Sequence, residues 1–114
     1  MRGALRLCAA VTILAAGAAW GQAPEGREIF VRRELGNCIA CHQVPEGAGP
    51  VVRANVGPRL DAARLKGWDR DRLRRFLDDP MRANPDTVMP PYGRHRLLEP
   101  REIERLIDYL HALP

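Results

Sequence analysis

Cys38-Ile39-Ala40-Cys41-His42 is the stretch on which the reading of this 114-residue chain turns. Two thiols three positions apart lie on one face of a helical turn, where both reach one edge of a flat macrocycle, and the next residue is an imidazole. In an exported protein this C-x-x-C-H pattern is the attachment signature of c-type haem, with both cysteines as thioethers and the histidine as proximal iron ligand. A zinc half-site would need a second Cys or His pair at ligand spacing, and a thioredoxin-like redox pair would follow a strand in a βαβ pattern. The sequence has neither.

Export is expected from residues 1–23, which read as a secretory signal peptide. Arg2 and Arg6 supply the basic start, Leu7 to Ala19 the apolar run, and Gly21-Gln22-Ala23 a small-x-small cleavage site. A periplasmic location follows, with no membrane association once the signal is cleaved; a signal retained as an anchor is the alternative. Cys8 stands too early for a lipoprotein cysteine and is expected to leave with the signal. Residues 24–114 then form one small domain with little core to spare. The formal charge of +4 falls when Arg2 and Arg6 are removed, and two haem propionates bring it near neutrality, so no nucleic-acid affinity is expected.

A domain this small usually needs a staple. Aromatic residues are only 5% of the chain, so a covalently held apolar disc would supply interior surface that Phe30, Trp68, Phe76, Tyr92 and Tyr109 cannot. The haem-free chain is accordingly expected to be largely unfolded.

The periodicity predicts an all-α domain of three or four short helices joined by long loops that wrap one haem c. A first helix is expected over Pro24 to Glu34, with Ile29, Phe30 and the stem of Arg33 facing inward before Gly36 breaks it. Gln43 to Leu60 reads as loop, punctuated by Pro45, Gly47, Gly49, Pro50, Gly57 and Pro58. Trp68 introduces a middle helix with Asp69 as N-cap and Leu73, Phe76 and Leu77 on one face, ending at Pro80. Four prolines between Pro80 and Gly93 predict a stiff loop. In the last helix Pro100 suits the first position and Glu102 the first turn, while Ile103, Leu106, Ile107, Leu110 and Leu113 form one apolar stripe.

The iron's other face draws on Met81, Met89, His95 and His111. Met89 leads, because flanking prolines in Asn84-Pro85-Asp86-Thr87-Val88-Met89-Pro90-Pro91 hold a loop side chain at low entropic cost. Met81 is expected to pack against the core, His95 is the alternative in a bis-histidine site, and His111 reads as a surface residue. Met89 as a plain apolar loop anchor is the competing reading. Within Gly57-Pro58-Arg59-Leu60, Pro58 offers a carbonyl that could fix the His42 imidazole through Nδ1, or the segment is an ordinary turn; the sequence weights the two equally. The expected haem-binding set is Cys38, Cys41, His42, Pro58, Leu60 and Met89, with His42 and Met89 on the metal and no catalytic residue.

CxxCH, then GPxL, a Trp-led helix, an NPDTVMP loop and a terminal helix ending in a Tyr-Leu pair together resemble class I cytochromes c. "GREIFVRRELGNCIACHQVP", "NVGPRL" and "NPDTVMPPYG" are similar more narrowly to SoxX, the monohaem subunit of the SoxAX complex of bacterial sulfur oxidation, although Leu35 stands where a lysine is common. That resemblance implies an electron-transfer subunit rather than a catalytic chain, within a complex that is an L-cysteine S-thiosulfotransferase. The implied partners are a SoxA-like cytochrome subunit, whose haem carries the sulfur chemistry, a SoxYZ-like carrier protein bearing the acceptor thiol, and a downstream cytochrome c. Independently, once Cys8 is cleaved and Cys38 and Cys41 are thioethers, the mature chain has no free thiol of its own. The competing functions are a free periplasmic monohaem cytochrome c shuttle, a haem enzyme or gas sensor with a labile sixth ligand, and a purely structural helical module.

Overall fold

The computed structural model describes residues 24–114, so the expected signal peptide and Cys8 lie outside the described residues. Three α-helices carry the domain: α1 (Gly26–Val31), α2 (Arg70–Asp78) and α3 (Pro100–His111). Single 3-10 turns form at Cys38–Ala40 and Pro80–Arg82. The only β-type pairing among the described residues is an isolated bridge between Glu46 and Gly49.

The core forms where α1 and α2 pack on α3. Ile103, Leu106, Ile107 and Leu110 recur at helical spacing and are buried, and Leu113 continues the stripe past the helix end. Each such side chain withdrawn from water contributes roughly 1.5–3 kcal/mol before entropy is counted. Ile29 and Phe30 of α1 are wholly buried against this face, and the Phe30 and Tyr109 rings lie 5.1 Å apart at 51°. The close approach depends on Gly26, where a Cβ would run into the Arg105 carbonyl and come within 2.7 Å of the Tyr109 Cβ. On the wet side, Arg70 pairs with Glu104 at 2.8 Å and with Asp108, and Arg74 pairs with Glu104 and Asp71, lacing α2 to α3.

The helix termini follow the residues expected to cap them. Asp69 Oδ1 accepts the Arg72 N–H at 2.7 Å, and Glu102 reaches back to the Glu99 N–H at 2.7 Å. Pro100 takes the first position of α3, where its missing N–H costs nothing.

Two expectations are corrected. The first helix stops at Val31 rather than Glu34, because the following N–H groups turn back: Gly36 donates to the Ile29 carbonyl and Asn37, in the left-handed region at φ 49°, donates to that of Arg32. That turn carries Arg33 into solvent and brings Cys38 inward. Met81 does not join the core cluster either: it is half-buried, and Pro80 fills the interior in its place. Asp79 explains this, since its buried carboxylate accepts the Met81 N–H at 3.3 Å and pairs with Arg94 at 3.1 Å, holding the 3-10 turn with the proline inward.

Candidate haem site

A cavity of about 590 Å³ opens between the CxxCH segment, the Gly57–Leu60 loop, α2, α3 and the proline-rich loop. Its size falls in the ~300–1,000 Å³ range usual for cofactor sites. Cys38, Cys41, His42, Pro58, Leu60 and Met89 all line it, so residues spread over 52 positions of sequence share one wall. His95 is exposed and outside that lining, and the half-buried Met81 also lies outside it. His111 is exposed, but its Nε2 lies 2.8 Å from the Trp68 carbonyl and ties the end of α3 to the segment leading into α2.

His42 is fixed by the backbone that returns to it. The Gly57 N–H donates to the Cys41 carbonyl at 2.8 Å and Leu60 N–H to that of Gln43 at 2.8 Å, while Gln43 Nε2 donates to the Ala54 carbonyl at 2.6 Å. The loop thereby presents the Pro58 carbonyl to His42 Nδ1 at 2.7 Å. A carbonyl oxygen only accepts, so Nδ1 carries the proton and Nε2 keeps its lone pair for a metal. Gly57 lies against the imidazole so closely that a Cβ there would come within 2.7 Å of Nδ1 and 2.8 Å of Nε2.

The two thiols differ. Cys38 is buried, which pushes its thiol up to about 12, whereas Cys41 is half-buried. Catalytic redox cysteines need depressed values, so the environment of Cys38 argues against thiol chemistry and suits a sulfur held in a bond. Neither cysteine is in a disulfide.

Met89 is half-buried and packs on the core cluster. Its loop is a chain of local turns: Asn84 Oδ1 accepts the Asp86 N–H at 3.1 Å, the Asn84 carbonyl that of Thr87 at 3.1 Å, and Thr87 Oγ1 that of Met89 at 3.1 Å. Pro90 and Pro91 then fix the next two φ angles.

These residues fit a haem. His42 and Met89 give the cavity one imidazole and one thioether, a donor pair that suits haem iron. Phe30, Leu65, Trp68, Phe76 and Leu106 supply apolar walls. Sequence reading missed Trp68 and Tyr92 as parts of the site. Trp68 meets Phe76 edge-on at 5.1 Å and carries the Arg72 guanidinium 4.1 Å over its ring. Tyr92, three residues beyond Met89, is buried with its hydroxyl 2.6 Å from the Gly36 carbonyl. A tyrosine three residues after Met89 in an otherwise aromatic-poor loop is the signal that could have found it, since a hydroxyl that becomes buried needs a partner.

The family model described as cytochrome C oxidase, cbb3-type, subunit III matches residues 21–110. Over 79% of this chain and 82% of that one, the fold is similar to the crystal structure of SoxXA from P. pantotrophus, with a TM-score of 0.64 and 27% identity. An uncharacterized lipoprotein of Aquifex aeolicus (strain VF5) is 35% identical over 77 residues, 67% of this chain. The match spans only 36% of that relative's length.

Proposed function

Because the chain belongs to the cytochrome C oxidase, cbb3-type, subunit III family, with the cytochrome c fold and its electron-transfer role, we propose that it is a SoxX-like monohaem subunit of an exported SoxAX-type complex. In this reading one haem c is held covalently by Cys38 and Cys41, with His42 and Met89 as iron ligands. The observation that carries it is the convergence of those four residues on one largely apolar cavity, joined to the likeness with SoxXA.

A bound haem supplies an iron whose ferric and ferrous states differ by the single electron to be passed on. The chain's own residues make that exchange clean. Cys38 and Cys41 give up their thiols as thioethers and fix the disc's edge. Pro58 holds the His42 proton on Nδ1, so Nε2 stays a ligand. Met89 would hold the iron through a soft thioether, which favours the ferrous state, and would keep exogenous ligands out.

With both cysteines consumed, residues 24–114 retain no free thiol. Sulfur would therefore be carried by a SoxYZ-like partner and coupled at a SoxA-like subunit, while this chain accepts the electrons and passes them to another cytochrome. The lipoprotein relative supports an envelope location, with residues 1–23 as export signal. No helix among the described residues is long and apolar enough to cross a membrane.

Gentle purification from the native periplasm tests the reading. A SoxA-like cytochrome should co-purify, and thiosulfate with a carrier protein should reduce this chain's haem. A lone monomer that stays oxidised when all those components are supplied would assign it instead to free electron shuttling.

A further inference from the structure

We propose that Tyr92 is a positioning residue that holds the Met89 loop closed over the cavity through its hydrogen bond to Gly36. The proposal rests on Met89 as iron ligand and adds what keeps it there.

Tyr92 is 6% exposed, and its hydroxyl donates to the Gly36 carbonyl at 2.6 Å across 56 positions of sequence. Among the described residues, Tyr92 is the only member of 84–92 hydrogen-bonded to residues 24–42, through the Gly36 carbonyl and the neighbouring Cys38 sulfur. Backbone bonds anchor the loop's far end: Gly93 N–H to the Leu77 carbonyl and Arg94 N–H to that of Asp78 run to the end of α2, and the Tyr92 carbonyl accepts from Leu97 at 2.9 Å and Leu98 at 3.1 Å. They fix where the loop ends and leave its approach to the CxxCH segment to Tyr92.

The position at both ends suits this role. Gly36 is buried, accepts no other hydrogen bond among the described residues, and lies two residues before Cys38. Losing the tyrosine hydroxyl would leave that carbonyl unpaired, a cost that opening the loop to water removes. At the other end only Pro90 and Pro91 separate Tyr92 from Met89. Their fixed φ angles make the link stiff, so holding Tyr92 down holds Met89 down.

The test is titration of ferric holoprotein with imidazole, which can bind only where Met89 has left the iron. Its apparent affinity scales with the fraction of open loop. Tyr92→Phe keeps the ring and removes the hydroxyl that reaches Gly36, and is expected to bind imidazole about tenfold more tightly than the parent while keeping its covalent haem. Tyr109→Phe removes a comparable hydroxyl, which donates to the Ala48 carbonyl at 2.9 Å outside the cavity lining. It should lower thermal stability yet leave imidazole affinity within about twofold. Parental affinity in Tyr92→Phe, or an equal gain in Tyr109→Phe, would overturn the clasp. Met89→Ala separates the premise: if it binds imidazole no better than the parent, Met89 is not the displaced ligand and the clasp falls with it.

Discussion

His42 Nδ1 and the Pro58 carbonyl oxygen lie 2.7 Å apart, sixteen residues distant in sequence, so the loop after the CxxCH segment decides which imidazole nitrogen faces the cavity. Gly57 makes the approach possible by offering no side chain to the ring. Gly57→Ala should therefore push the imidazole off its axis and cost about 1–3 kcal/mol, as overpacking usually does. The check is a chemical melt of the holoprotein together with its ferric absorption spectrum. A parental melt and spectrum would show that the contact relaxes freely.

Met89 gives a second expectation. Met89→Ala should open the sixth position, so that carbon monoxide binds the ferrous protein where the parent resists it, and the potential should fall with loss of the soft thioether. His95→Ala should change neither, because His95 lies exposed and outside the cavity. A strongly negative potential in the parent would assign the site to two imidazoles instead.

Removing the haem should remove the fold. The cavity lies between α2, α3 and two long loops, and without the disc its apolar walls face water or one another across a void. Circular dichroism of a Cys38→Ala/Cys41→Ala chain made without haem should show little helix and no cooperative melt. A native-like transition would mean that the packing of α1 on α3 suffices alone.

The α2–α3 ion pairs predict a pH dependence. Hydrogen bonding to Arg74, with Arg70 adding to it, holds the Glu104 carboxyl below its ordinary value even though partial burial acts the other way. A carboxylate depressed in the folded state stabilises above its unfolded value of about 4.3 and loses that contribution as pH falls through the folded one. Glu104→Gln should accordingly be less stable than the parent at pH 7, by a modest and salt-sensitive margin because the side chain is 37% exposed. The gap in urea midpoint should narrow as pH is lowered from 7 through the unfolded value. A gap unchanged across that range would place the effect in packing rather than charge.

Much of the site was legible in the sequence because it is built from local patterns. CxxCH, the proline-flanked Met89, Asp69 as a cap and the stripe of α3 are read from spacing alone. Arg33 and Met81 were misread for a shared reason: each sits where a turn, held by backbone hydrogen bonds, rotates the chain away from the helical register that its neighbours suggest. Pro58 stood between two readings because only the folded loop brings its carbonyl to His42. Tyr92 was invisible as a contact, since its partner is a backbone carbonyl 56 residues away and carbonyls carry no sequence signal.

The central claim is that Cys38 and Cys41 hold one haem on this chain. Intact-mass measurement of the denatured protein, matured in a host that attaches c-type haem, tests it most directly. The account predicts a mass increased by one haem, with the added mass on the peptide spanning Cys38 to His42. A haem-free mass, or a haem that washes away on denaturation, would contradict it.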